Sequence, residues 1–117
     1  MLSLIYIAMQ SALAIIPVTS SQVVGKWSDI GCGKEYVEFK SGGRYEYRKW
    51  GEYSYVLDSS AYWWIEEGYI AIGHMKYRSD KLIGVIAIDA ISSTHLSGAY
   101  ATANGSQSKL TMIKCRE

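Results

Sequence analysis

Apolar and polar side chains alternate with a period of two along most of the chain after about residue 20. In the segment 35–40, Val37 and Phe39 share one face of a strand, while Glu38 and Lys40 share the other. This period is typical of a half-buried β-strand. No stretch keeps a 3.6-residue period for more than two turns of helix, so the pattern predicts an all-β chain.

Short segments of this kind recur at a spacing of about ten residues, and most are separated by Gly, Asn, Asp or Ser. The predicted strands are 22–29, 35–40, 44–49, 53–58, 61–66, 69–77, 82–90, 95–101 and 109–115. Such spacing predicts a small single-domain antiparallel meander of about eight strands. Because no helix is available to cover a free sheet edge, we expect the sheet to close into a barrel, with a β-sandwich as the alternative.

One predicted strand departs from the alternation. The segment 82–88, with the sequence Leu-Ile-Gly-Val-Ile-Ala-Ile, is apolar on both faces. This indicates a strand that is covered outside the barrel as well as inside, or one that lies in an interface. A helix is the alternative, but Ile, Val and Gly disfavour it.

The chain begins with an apolar, uncharged stretch. Residues 1–20 resemble the apolar region of a signal peptide followed by a small-residue cleavage site, although no basic residue precedes the apolar run. We predict cleavage before Ser21, which leaves residues 21–117 as the β-barrel domain. A membrane anchor and a first element of the fold are the alternatives. No integral membrane span is expected in the mature chain.

Cys32 and Cys115 are the only two cysteines. Behind an export-like leader, a single pair at opposite ends of a strand-rich domain predicts one disulfide. A stable disulfide implies an oxidising compartment, so we expect a periplasmic or secreted protein. Two buried free thiols in a cytosolic protein are the alternative.

Charge and motifs give little support to catalysis or nucleic-acid binding. The net charge is +1, with no block of either sign. His74 and His95 have no partner at metal-site or catalytic spacing, and Glu66-Glu67 precedes a glycine as in a solvated turn. We therefore expect no enzyme activity, no metal and no cofactor. Asn104-Gly105-Ser106 fits a hairpin turn better than a site of N-linked glycosylation.

Val24-Gly25-Lys26-Trp27 resembles the Gly-x-Trp signature of the lipocalin and calycin barrels. The rhythm F-x-x-x-G-x-Y at 39–45, followed by G-x-Y at 51–53, is similar to that of small bacterial lipocalin-like domains. The resemblance implies that Trp27 plugs one end of the barrel. It also implies that Arg116 packs across the tryptophan ring through a cation–π contact. The chain is much shorter than a true lipocalin.

Aromatic side chains crowd the central third of the sequence, and Tyr and Trp suit both barrel interiors and recognition surfaces. The candidate binding residues are Tyr45, Tyr47, Tyr53, Tyr55, Tyr62 and Trp64. Ordinary core and cross-strand packing is the alternative interpretation of these rings.

Two non-catalytic functions follow from this sequence. We expect first a protein-interaction module, such as an inhibitor of a secreted hydrolase or an envelope accessory protein, with the loop 30–34 as a candidate contact. The second is a lipocalin-like carrier of a small apolar or aromatic ligand. The barrel interior discriminates between them, because a carrier requires an open cavity.

Overall fold

The computed structural model describes residues 16–116, which form a closed barrel of eight antiparallel strands. Each strand pairs with the next along the chain, and the last pairs with the first. The strands are β1 (Gly25–Ser28), β2 (Glu35–Phe39), β3 (Arg44–Trp50), β4 (Tyr55–Glu66), β5 (Tyr69–Gly73), β6 (Leu82–Ile91), β7 (His95–Thr102) and β8 (Gln107–Lys114). A one-turn helix α1 (Ser20–Val23) precedes β1, and a 3-10 turn (Ser79–Lys81) precedes β6. The predicted all-β meander barrel is confirmed, and the sandwich alternative is wrong.

The predicted strands 53–58 and 61–66 are one continuous strand, β4. Tyr47 pairs with Ser59 and Arg48 pairs with Leu57, so Asp58 is an extra residue on β4. The break predicted between these two strands is therefore a β-bulge at Asp58 within a long strand. By contrast, the turn at Asn104-Gly105 is confirmed.

Two other predicted boundaries are wrong. The start of the segment 22–29 is helical, because Gln22 belongs to α1 and its Oε1 accepts the Thr19 N–H at 2.8 Å. The segment 69–77 leaves the sheet after Gly73, where β5 ends.

Helix α1 closes one end of the barrel. Val18 and Val23 are buried there in one cluster with Trp27. The indole Nε1 of Trp27 donates a hydrogen bond to the Val23 carbonyl at 2.8 Å. The same cluster continues through the interior as the inward side chains Phe39, Ala61, Trp63, Ile70, Ile72, Ile86, Ile88, Leu96 and Met112.

The predicted signal peptide lies mostly outside the described residues, which begin at Ile16. Within residues 16–20, the Ile16 N–H donates to the Ile88 carbonyl at 3.0 Å, and Val18 is only 5% exposed. Cleavage before Ser21 would remove both contacts from the barrel. The leader therefore stays a prediction, and its predicted end overlaps residues that pack in the interior.

A second apolar cluster lies on the outer face of β4 to β7. It contains Trp64, Tyr69, Ala71, Leu82, Val85, Ala87, Ala99 and Ala101. Ala71 pairs with Val85, and Ala87 pairs with Ala99, so these side chains share one face of the sheet. Ala71, Val85 and Ala87 have no exposed surface. The prediction that the segment 82–88 is a strand covered on both faces is confirmed, and the helix alternative is wrong.

A disulfide reinforces the seam at which the barrel closes. Strands β1 and β8 pair through only two residue pairs, Trp27 with Lys114 and Ser28 with Ile113. Cys115 directly follows β8 and is bonded to Cys32 in the β1–β2 loop, with their Cα atoms 5.7 Å apart. The predicted disulfide is confirmed, and the free-thiol alternative is wrong.

The cation over the Trp27 ring is Lys114 rather than the predicted Arg116, whose side chain is exposed. Lys114 Nζ lies 5.1 Å from the ring centroid and donates to the Val24 carbonyl at 3.0 Å. Gly25 has φ of +138°, and a Cβ there would stand 2.5 Å from Lys114 Cε. The glycine of Gly-x-Trp thus leaves the space through which Lys114 reaches the indole.

Candidate functional site

The barrel encloses a cavity of about 300 Å³, here called the cup. Seven of the eight strands contribute to its wall, because inward side chains recur at every second position. Its apolar and aromatic lining consists of Trp27, Tyr36, Val37, Phe39, Tyr45, Tyr47, Ile72, Ile86, Tyr100, Leu110 and Met112. Its remaining lining residues are Ser28, Asp29 and Glu35.

The polar lining residues lie at the end of the barrel opposite α1. Ser28 ends β1, Asp29 follows it, and Glu35 begins β2, whereas α1 precedes the first residue of β1. We call this polar end the mouth of the cup. The cup therefore has a polar entrance and an apolar body, the usual composition of a small-molecule site.

Two tyrosines stand inside the cup with hydroxyl groups that have no hydrogen-bond partner among the described residues. Burial raises the pKa of Tyr45 far above its usual value, with smaller contributions from Tyr100 and Tyr47. Burial also raises the pKa of Tyr100. Both phenols are therefore neutral at ordinary pH, so each has a hydroxyl proton to donate and lone pairs to accept.

Gly84 on β6 makes room for the Tyr100 ring. A Cβ at Gly84 would stand 2.7 Å from the Tyr100 hydroxyl oxygen and 2.6 Å from the Ala101 carbonyl oxygen. Tyr100, Tyr45 and Ile72 also border a second cavity of about 330 Å³, whose wall includes His74 and Ile83. The two tyrosines thus form part of a partition between the cup and a neighbouring cavity.

At the mouth, the Tyr47 hydroxyl donates a hydrogen bond to Glu35 Oε2. This bond, with burial and the negative charges of Glu35, Asp58 and Asp29, raises the pKa of Tyr47 to about 12. Tyr47 therefore remains protonated as a donor, and three carboxylates lie within electrostatic range of it.

The structure brings only two of the six candidate binding residues, Tyr45 and Tyr47, into the cup. Tyr53 is 84% exposed in the β3–β4 turn. The Tyr55 hydroxyl donates to the Cys32 carbonyl instead. The six residues therefore do not form one site.

The last two candidates lie on the outer face of β4. The guanidinium Cζ of Arg44 lies 4.7 Å from the ring centroid of Tyr62, in a cation–π contact. Trp64 is 4% exposed, donates from Nε1 to Glu66 at 2.8 Å and packs on Tyr77. Its neighbour Trp63 points into the barrel. The two neighbouring tryptophans therefore face opposite sides of the strand, as the alternation of side chains along a strand requires.

Sequence reasoning missed Phe39, Tyr100 and Glu35 as members of the cup. Their signal was present in the alternation, since Phe39 and Glu35 share a face with Val37, and Tyr100 shares one with Leu96. Composition drew attention to the crowded central tyrosines, whereas the cup is assembled from strands distant in sequence.

The histidines occupy separate environments. His74 borders the second cavity, and His95 Nδ1 lies 2.8 Å from Thr94 Oγ1. Within residues 16–116, no three His, Cys, Asp or Glu side chains gather as a metal site. None of the described helices is both long and apolar enough to span a bilayer.

Comparison of the chain with protein-family models, with curated proteins and with solved structures finds no match.

Proposed function

We propose that this protein is a non-catalytic binding barrel that holds a small apolar or aromatic ligand in the cup. The observation that carries this proposal is the open interior of about 300 Å³, at the lower end of the size range of small-molecule sites. The lining supports it, because aromatic and aliphatic walls surround the free hydroxyls of Tyr45 and Tyr100. The resemblance to lipocalin-like barrels agrees with this use of the interior and stays a proposal.

The test is titration of the full-length, oxidised protein with 4-ethylphenol, followed by tryptophan fluorescence and by calorimetry. The buried indole of Trp27 lines the cup and reports occupancy. We expect saturable binding, which Leu110→Trp abolishes because the larger ring fills the cavity. Leu57→Trp, at an exposed position on β4, is the matched control and should bind normally. Unchanged binding in folded Leu110→Trp would contradict the cup as the site.

A second candidate function, docking to another protein, is favoured by one surface. Four large apolar side chains are exposed on the β3–β4 hairpin: Trp50, Tyr53, Val56 and Leu57. Ile30 in the adjacent β1–β2 loop is 57% exposed, and the Trp50 N–H joins that loop by donating to the Lys34 carbonyl at 2.7 Å. This hairpin surface is typical of a protein-contact site because exposed aromatic anchors concentrate binding energy.

The hairpin surface fits the expectation of an inhibitor of a secreted hydrolase or an envelope accessory protein. The test measures inhibition of a panel of secreted hydrolases by the wild type and by the double variant Trp50→Ser, Tyr53→Ser. Loss of inhibition only in the double variant supports the second function. Equal inhibition by both proteins, or inhibition by neither, contradicts the inhibitor role.

We also propose export to the periplasm or the cell exterior. The disulfide supports this location, because such bonds persist in oxidising compartments. Mass spectrometry of the protein purified from its host tests the proposal, since it gives the N-terminal residue and the thiol state together. Reduced Cys32 and Cys115 in that preparation would contradict it.

A further inference from the structure

The mouth of the cup is acidic. Asp29 and Glu35 both line it, and no Lys, Arg or His is among the described residues of the cup wall. An electrostatic field of one sign at the entrance of an apolar cavity favours a ligand of the opposite charge.

These two carboxylates are not neutralised by the ion pairs of the described residues. Lys40 and Arg48 both pair with Glu46, at 3.3 and 2.9 Å. Lys49 lies opposite Glu35 in the β2–β3 register, but its Nζ pairs with Asp58 at 3.8 Å and lies 5.9 Å from the Tyr47 ring centroid. Glu35 receives its hydrogen bond from the neutral Tyr47 hydroxyl, which leaves the negative charge in place.

Two further basic groups lie near the wall. Lys26 Nζ lies 5.1 Å from the Tyr36 ring centroid, and Lys114 Nζ lies 5.1 Å from the Trp27 ring centroid and donates to the Val24 carbonyl. Each contacts a ring rather than a carboxylate. The raised pKa of Tyr47 agrees with a negative field at this position, because the charges of Glu35, Asp58 and Asp29 all disfavour the phenolate.

We propose that the ligand of the cup is a small aromatic amine, whose ammonium group binds at Asp29 and Glu35 while its ring enters the apolar body. This inference rests on the proposed function, because it assigns the charge and chemical class of the same ligand. The Tyr47 ring at the mouth adds a cation–π partner for the ammonium group. The free hydroxyls of Tyr45 and Tyr100 suit a hydroxyl on the far side of the ligand ring.

The experiment compares three phenols of similar shape and different charge: tyramine, the neutral alcohol tyrosol and the anion 4-hydroxyphenylacetate. Each is titrated into the full-length, oxidised protein at low ionic strength. We expect tyramine to bind about tenfold more tightly than tyrosol, and the acid to bind most weakly. Added salt should reduce the preference for tyramine, because the mouth is open to solvent.

Glu35→Gln and Asp29→Asn should each reduce the ratio of tyramine affinity to tyrosol affinity severalfold, because each removes one negative charge from the mouth. Glu38→Gln is the matched control, because it removes the same charge from the same strand but on the outer face. It should leave the preference intact, and the two carboxylate variants and the control are each checked for folding by the thermal transition.

The outcomes separate the two proposals. Equal affinities for the three phenols, tightest binding of the acid, or a tyramine preference that survives in both carboxylate variants overturns the amine assignment while the proposed function stands. If neither 4-ethylphenol nor any of the three phenols binds, the proposed function fails, and the amine assignment fails with it.

Discussion

At the scale of single residues, the shape of the barrel depends on positions where a side chain is absent. Gly98 on β7 faces Ile88 on β6, and a Cβ at Gly98 would overlap the Ala87 carbonyl oxygen and stand 3.0 Å from Ile88 Cα. These are backbone atoms of a paired strand and cannot rotate away. The close approach of β6 and β7 therefore requires glycine at this position.

We expect Gly98→Ala to destabilise the protein by about 2 kcal/mol or more, because β6 and β7 must separate to accommodate the methyl group. Urea denaturation of the full chain measures this effect. Gly42→Ala is the control, since a Cβ at Gly42 meets no atom within 4 Å. Equal midpoints for the two variants would contradict this explanation.

Tyr47 provides a pH test at the mouth of the cup. Its folded pKa of about 12 lies above the ordinary value of 10.0, and the first cause is the hydrogen bond to Glu35. The stabilisation that this bond contributes is therefore fully present below pH 10 and is lost as the pH rises through 12. We expect Glu35→Gln to lower the Tyr47 pKa toward its ordinary value.

The measurement is a rapid pH-jump titration of tyrosinate absorbance. The chain has ten tyrosines, so the Tyr47 signal is obtained as the difference between each protein and its own Tyr47→Phe partner. A difference signal that titrates near pH 10 in the wild type would show that the bond to Glu35 does not hold the proton.

At the scale of elements, the sequence predicted the strands and their closure into a barrel. It did not predict, for every strand, which side chains face the interior and which face outward. Alternation and turn residues predicted the strands and the closed meander, because both signals are local. The bulge at Asp58 depends on pairing with β3, which no local signal reveals. The extra residue reverses the alternation of inward and outward side chains along β4. Ser59 therefore faces inward with its partner Tyr47. Leu57 and Tyr55 face outward, on the same side as Arg48.

That reversal explains why the candidate site was predicted only in part. Tyr45 and Tyr47 precede the bulge and kept the face that their strand pattern assigned to them. Tyr55 follows the reversed register and contacts the β1–β2 loop. The carboxylate of Glu35 was missed for another reason. The alternation placed it on the face of Val37, but charged side chains are mostly exposed, so a place in a cavity wall was not expected.

The β1–β2 loop contains Cys32 and leads directly to Glu35 at the mouth of the cup. The disulfide therefore attaches this loop to the end of β8, at the seam where the barrel closes. Replacing both cysteines with serine should cost about 4 to 5 kcal/mol, because the bond closes a chain segment of 83 residues across a seam of two pairs. Chemical denaturation with and without a reductant measures the loss. The reductant should destabilise the wild type and leave the double variant unchanged.

Equal stability of oxidised wild type and double variant would show that β1 and β8 need no reinforcement. Titration of the same samples with 4-ethylphenol shows whether the disulfide must hold the β1–β2 loop in place for the cup to bind this phenol.

At the scale of the whole molecule, the barrel is asymmetric along its axis. Helix α1, Val18 and Trp27 close one end, while the polar mouth occupies the other. Under the proposed function, this asymmetry would hold a ligand in a defined orientation, with its apolar part inward. The segment before β1 therefore belongs to the architecture that supports the cup.

This arrangement bears directly on the predicted cleavage before Ser21. Val18 is as deeply buried as the core side chains of the strands, and Ile16 adds a backbone hydrogen bond to β6. We expect Val18→Ala in the full chain to cost about 2 kcal/mol, the loss of two buried methyl groups plus the cavity that they leave. Val56→Ala, at an exposed position, should be nearly neutral.

A chain that begins at Ser21 should then lose at least as much stability as Val18→Ala. Thermal unfolding of the full-length protein, the two point variants and the shortened chain measures these differences. If that chain unfolds at the same temperature as the full-length protein, residues before Ser21 do not stabilise the barrel, and a cleaved leader is compatible with its stability.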